Sequence, residues 1–458
     1  MRNVLPALVW RAGTRGRRLL RQGSRTGGAM RREEGGTEHG EPAAQASEGE
    51  AAASAHREPD CRHGAKGSRL GAARACALGA LALSLGAGAG FSIWALLSAA
   101  YLLCDLVWDG VGGALGLPAF PLLACTLGGA LIGLWNARFD SAPKPLDEVM
   151  AEVRAKGGYS VGRVVPASVS FLLPIAFGGS VGPEAGLTGL VASACTQVGA
   201  ALRRAGGLDG PFTRAQKVPL YALGVLGGAA GAAAFSALFG GGLPLPRFGA
   251  APLTWEAAAW TVPLVAAGWA LAALYALATL LARRLSRALE GHPVLKPTLC
   301  GLALGATALA LPYVLFPGTA QAADLAGQWA NMPAAVLVAT GVAKTAFVAL
   351  CLNLGWSGGP FFPLIFCGVS TGFGIAAATG ADAMLCTAVV STALIAGFTR
   401  KPAMALLVML LCFPVRSLPF MAPAALAGAL LPVPGAGQRA AERNGRGRFR
   451  ASGAGPKG

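Results

Sequence analysis

The stretch "FGGSVGPEAGLTGL", Phe177–Leu190, decides how this chain is read. Its Glu184 is the only charged residue between Val164 and Leu202, and it stands among glycines and a proline in an otherwise apolar run. A second stretch, "NLGWSGGPFFPLIFCG" (Asn353–Gly368), repeats the pattern. Ser180-Val181-Gly182-Pro183-Glu184 matches Ser357-Gly358-Gly359-Pro360-Phe361, and each S-x-G-P precedes an apolar, helix-like run. No charge occurs from Thr345 to Ala381.

The surroundings are those of a membrane. The chain has 458 residues, 54% hydrophobic and only 13% charged, with a mean hydropathy of +0.55. Ala75–Cys104 runs without a charge, longer than the roughly 20 residues that span a bilayer as a helix. Similar runs recur to about Pro432. The fold class expected is an all-α polytopic membrane protein. A β-barrel is excluded because alternation of period two is absent and the runs are too long.

The net charge of +17 is concentrated at the ends. Residues 1–70 hold 13 Arg/Lys against 8 acids, and residues 436–458 hold 6 against 1. Both segments are poor in large apolar residues and read as disordered basic tails. Their charge suggests cytoplasmic ends and attraction to anionic membrane lipids, rather than a nucleic-acid partner. Ten cysteines show no CxxC pair and no metal-like Cys/His spacing, so neither a disulfide framework, nor a metal, nor another cofactor is expected.

Between the tails the chain divides into a first transmembrane half, 71–250, with the GPEAG motif, and a second, 251–435, with GPFFP. A Gly-Pro break at membrane depth is tolerated only where the backbone is buried in protein or lines a wet cavity. Proline suits the first position of a helix. Each S-x-G-P therefore reads as a helix that starts inside the membrane, its free N–H groups and positive dipole end pointing at a ligand. Paired interruptions in two halves of a transporter point to a midplane site, and converging helix starts suit an anion. Glu184 can occupy the anion's position and be displaced or protonated, which makes it a candidate gate. The alternatives are that it pairs with a distant arginine or caps its own helix.

At these residues the sequence resembles the CLC family of chloride channels and chloride/proton antiporters. Gly359-Pro360-Phe361-Phe362-Pro363 matches that family's G-x-F-x-P motif. Gly182-Pro183-Glu184-Ala185-Gly186 matches its G-[KR]-E-G-P in part. Lys344 sits where the family usually has a lysine. "GVLGGAAGAAAFSALFGG" (Gly224–Gly241) and "AGFTRKPAMALLVML" (Ala396–Leu410) look like further family segments. The resemblance implies two inverted-topology halves, a homodimer, and transport of chloride or another small anion, with protons in the antiporters. It gives Glu184 the role of gate and proton carrier. It gives the backbone of Gly182, Gly359, Phe361 and Phe362 the role of holding the anion, with Ser180, Pro183, Ser357, Pro360 and Pro363 setting the two helix starts.

The chain also departs from the family. The early serine that contacts the anion has only Ser141 as a candidate, and no tyrosine follows Tyr313 to serve as the inner tyrosine. Pro183 and Pro360 remove amide donors, each worth about 1.5–3 kcal/mol to a charged acceptor. The acid after the F-N-A-P-like segment is delayed to Glu256. These departures leave channel or exchanger, and chloride, fluoride or nitrate, open.

Two rivals fit less well. Gly355-Trp356-Ser357-Gly358 fits the G-x-S-G pattern of intramembrane serine proteases, but no histidine lies in an apolar segment to act as base, and Ser357 reads as a helix cap. A cation-coupled carrier of carboxylates would want several acids in its core. Asp105 and Asp109, flanking Trp108, read as interfacial. Asn353 either lines a pore or caps a helix.

Overall fold

The computed structural model describes residues 72–139, 146–205, 214–240 and 246–434. Both basic tails and Ser141 lie outside these residues. Among the described residues all regular structure is helical, and seven helices are long and apolar enough to cross a membrane.

The first half opens with α1 (Ala72–Asp105), which passes through a π-helical turn, Leu106–Val111, into α2 (Gly112–Leu115). It continues with α3 (Phe120–Phe139), α4 (Leu146–Lys156), α5 (Val164–Ala176), α6 (Glu184–Ala205) and α7 (Arg214–Phe239). Irregular chain over 246–254 leads to the second half: α8 (Trp255–Ala288), α9 (Leu295–Ala308), α10 (Thr319–Gln328), α11 (Ala334–Asn353), α12 (Phe361–Thr379), α13 (Ala383–Thr399), α14 (Pro402–Met409) and α15 (Leu418–Leu430).

Local chemistry sets the boundaries. Thr254 caps α8 by accepting from Ala257 N–H (3.2 Å), and Asp382 caps α13 by accepting from Leu385 N–H (2.7 Å). Gly380, at φ 75°, ends α12 in the left-handed conformation. Several helices are too short to cross. With 13 residues, α5 rises about 20 Å, short of a hydrocarbon core of about 30 Å.

Three seams place these elements. In the first half α7 lies against α1, so that a side chain at Gly86 would strike Gly224 O and one at Gly231 would strike Ala87 O. Gly224, Gly227, Gly228 and Gly231 thus supply small residues for close helix approach. Between the halves, α3 packs on α9 around Cys125, Ile132, Cys300 and Leu304, joined by Val181 and Trp356 from the two breaks. In the second half α12 is sandwiched between α11 and α13 and buries Leu364, Phe366, Val369 and Phe373. A methyl at Gly368 would reach Ser391 Cα at 2.5 Å, and one at Gly372 would reach Thr387 Cα at 2.6 Å. This burial on nearly all sides fits a helix that is apolar all round.

Candidate functional site

The two S-x-G-P segments meet. Gly182 N–H donates to Gly359 O (2.7 Å) and Gly359 N–H donates to Gly182 O (2.8 Å), an isolated antiparallel bridge. Reciprocal bonding of this kind places a local two-fold axis between the breaks. It also sets the repeated motifs in register, glycine against the equivalent glycine.

At each break several backbone groups find named partners. In the first, Gly178 adopts φ 77° after α5 ends. Trp108 Nε1–H donates to Ala176 O (2.9 Å), and Phe316 N–H donates to Gly178 O (3.1 Å). In the second, Gly355 adopts φ 101° after α11 ends. Asn136 donates to Gly355 O (2.9 Å), Trp356 N–H donates to Cys351 O (3.0 Å), and Trp356 Nε1–H donates to Pro297 O (2.9 Å).

The helices then start. Pro183 directly precedes α6, and Pro360 is the N-cap of α12. Glu184 is the first residue of α6, yet its carboxylate lies on the other helix. Oε1 accepts from Phe361 N–H (2.5 Å) and Phe362 N–H (3.3 Å), the first two amides of α12. These amides have no partner within their own helix and sit at its positive dipole end. The carboxylate's second oxygen, Oε2, is buried without a partner.

The carboxylate also explains the glycines. A side chain at Gly182 would collide with Glu184 Oε2, and one at Gly359 would collide with Glu184 Cγ and Cδ. The amides of Gly182 and Gly359, expected from sequence to face an anion, are here each committed to the other's carbonyl. Their missing side chains make room for the acid instead. The amides not committed to backbone are those of Phe361 and Phe362, which donate to Glu184.

Ser180 is fully buried and its hydroxyl has no partner. Buried polar atoms of this kind normally mark a ligand, water or strain. The Tyr101 hydroxyl on α1 is likewise buried, with the Thr319 side chain at the start of α10 as its neighbour. Ser357 does not cap α12: the N-cap is a proline and no side chain caps the helix. Pro363 lies in α12's first turn and is buried. Asn353 donates to Ala349 O (2.7 Å), back along α11.

Other residues lie apart. Tyr313 donates its hydroxyl to Asp324 (2.6 Å). Glu256 is exposed in the first turn of α8. Asp105 ends α1 and Asp109 lies in the π turn. Between those two acids, Trp108 has a role that its sequence context hid, because its partner lies 68 residues away. Lys344 is fully buried, with its Nζ among backbone carbonyls. Among the described residues no cluster of His, Cys, Asp and Glu is placed to hold a metal.

In sequence, a family model described as "Voltage gated chloride channel" matches residues 225–431, which include the second break. No curated protein matches in sequence. Among solved structures, a CLC-type fluoride/proton antiporter superposes with a TM-score of 0.60 at 19% identity, over 78% of this chain and 95% of that one. A slow cyanobacterial Cl-/H+ antiporter gives 0.61 at 16%, over 77% and 93%. A eukaryotic CLC transporter gives 0.54 at 16%, over 77% and 71%. At these identities the structures share the fold.

Proposed function

We propose that this chain, which belongs to the CLC family, carries small anions across a membrane along a path that Glu184 closes. The observation that carries the reading is the Glu184 carboxylate on the amides of Phe361 and Phe362. A carboxylate oxygen and a halide ask for the same thing from a helix start: amide donors and a positive dipole end. Whatever frees those amides of Glu184 opens them to an anion from solution. Protonation of Glu184 does so by removing its charge, and a competing anion does so by displacement.

Chloride is the anion proposed, with fluoride as the alternative, since one structural relative is a fluoride/proton antiporter. Proton movement is proposed to accompany the anion, because the closing group is itself an acid. The inverted halves, a homodimer with one path in each subunit, and cytoplasmic ends belong to the same reading. They rest on the family resemblance and on the basic segments 1–70 and 436–458.

The test is flux from liposomes loaded with chloride, with anion and proton movement recorded together for the native protein and for Glu184→Ala. Chloride efflux that drives protons uphill, with coupling lost in the variant, supports a proton-coupled exchanger. Efflux without linked protons, and less pH-sensitive in the variant, supports a channel. No flux of chloride, fluoride or nitrate from folded protein overturns the anion reading and favours a cation-coupled carrier.

A further inference from the structure

We propose that Lys344 is a positioning residue for the anion path: it clamps the linker between α9 and α10 in the shape that sets the first break against α12. The proposal rests on the anion-path reading of Glu184, Phe361 and Phe362.

Lys344 sits within α11 and is fully buried. Its Nζ donates to Tyr313 O (2.8 Å), Leu315 O (2.6 Å) and Phe316 O (2.9 Å), with Gln321 Oε1 at 3.4 Å. Three carbonyls account for the three N–H donors of an ammonium. The same nitrogen lies 4.7 Å from the centre of the Phe366 ring, where the ring's negative face favours a cation. None of these partners is a carboxylate. A buried lysine held wholly by carbonyls and a ring acts as a backbone clamp.

The clamped linker needs one. Phe316 has φ 63°, a left-handed conformation that an aromatic residue rarely adopts, and Gly318 has φ 92°. Strained backbone persists only where its surroundings over-determine it. Its carbonyls also have to be satisfied at membrane depth, and Lys344 satisfies three of them at once.

The linker touches both sides of the anion path. On one side Phe316 N–H holds Gly178 O, two residues before Ser180. The Phe316 ring packs edge-on to Trp108 (4.9 Å), whose indole holds Ala176 O. On the other side Gly318 lies so close to Phe366 that an added methyl would come within 2.6 Å of its Cβ. Phe366 stands one turn along α12 from Phe361 and Phe362, the residues whose amides hold Glu184. The linker is therefore a wedge between the segment that carries the acid and the helix that receives it. Lys344 fixes the wedge from both ends, through its carbonyls and through the Phe366 ring.

A merely structural lysine would, when replaced, lower yield, thermal stability and maximal flux together. A positioning lysine changes how well the amides hold an anion in the protein that does fold. The experiment uses Lys344→Met, which keeps length and removes the donors, Lys344→Arg, which keeps donors in a different fork, and Phe366→Leu. Each is purified as a monodisperse species and reconstituted beside native protein and Glu184→Gln. Chloride flux is measured against chloride concentration and pH. Misplaced amides in Lys344→Met raise the half-saturating chloride concentration about tenfold or more, with a changed pH profile, while maximal flux per folded protein falls less. Lys344→Arg falls between native and Lys344→Met, and Phe366→Leu shifts the same way by a smaller factor. Should Lys344→Met fail to fold, Phe366→Leu decides. Native half-saturation and a native pH profile in the folded variants overturn the positioning role, as does a loss confined to maximal flux. In either case the native and Glu184→Gln traces leave the anion path standing. Absence of chloride flux from the native protein itself overturns both.

Discussion

Replacing Glu184 by glutamine tests the competition between carboxylate and anion directly. The side chain keeps its size and an acceptor oxygen, and loses its charge. In the native site Oε1 accepts from Phe361 N–H at 2.5 Å and from Phe362 N–H at 3.3 Å. A hydrogen bond to a charged group is worth about 1.5–3 kcal/mol and a neutral one about 0.5–1.5, so the short bond weakens by about 1–1.5 kcal/mol and the long one by less. Together the hold on the two amides falls by about 2 kcal/mol, close to a 30-fold easier displacement at 1.4 kcal/mol per tenfold. Glu184→Gln then half-saturates at a chloride concentration about 30-fold lower than native protein. Its flux is also level across the acid-to-neutral range in which native flux rises as pH falls. The sign follows from the chemistry, since protonating Glu184 does to the native protein what the amide does to the variant. The assay is chloride efflux from liposomes at several internal concentrations and pH values, on protein that elutes as a single species. Native half-saturation combined with a native pH profile would falsify the competition, because the amides would then be holding something other than the anion's stand-in.

Three more outcomes follow from the same geometry. Gly359→Ala puts a methyl where Glu184 Cγ and Cδ lie, so the acid leaves the amides; flux in this variant becomes pH-insensitive like that of Glu184→Ala, and flux that stays pH-gated refutes the packing argument. Trp108→Phe removes the donor to Ala176 O and strands a buried carbonyl, which costs about 1–3 kcal/mol and shows as a lower midpoint of thermal inactivation; an unchanged midpoint means that another donor already serves that carbonyl. Ser180→Ala deletes a buried hydroxyl that has no protein partner, so stability holds or rises while the chloride-to-fluoride flux ratio moves; a loss of stability with an unmoved ratio shows that the hydroxyl serves packing instead.

How far the site could be read from sequence depends on which contacts are local. The matched Ser180–Glu184 and Ser357–Phe361 segments were legible because Gly-Pro breaks an apolar run wherever it falls, and a repeated break in a membrane protein has few uses. Helix starts follow from the same prolines. What the repeat did not disclose is how the two copies use one another. A sequence shows that Gly182 and Gly359 have amides, and nothing in it says that each amide goes to the other's carbonyl. The roles of Trp108, Asn136 and Lys344 were hidden for a related reason: their backbone partners lie 68, 219 and 28–31 residues away, and a carbonyl partner leaves no mark on residue type. Ser357 misled in the opposite sense, since serine before a helix suggests a cap, whereas the helix start here is fixed by Pro360 and its amides go to Glu184.

The glycines carry this one step further. Neither Gly182 nor Gly359 is among the positions of positive φ, so backbone conformation does not demand glycine at either. What demands it is the Glu184 side chain lying across both, one carboxylate pressed against two backbones that are themselves paired. The acid thus lies across two breaks that are bonded to each other. In the proposed reading, departure of the acid would leave a space bordered by the two bare glycines and the Phe361 and Phe362 amides. The S-x-G-P repeat is thus a shape requirement as much as a helix start. A conservative change at either glycine should disturb gating before it disturbs the fold.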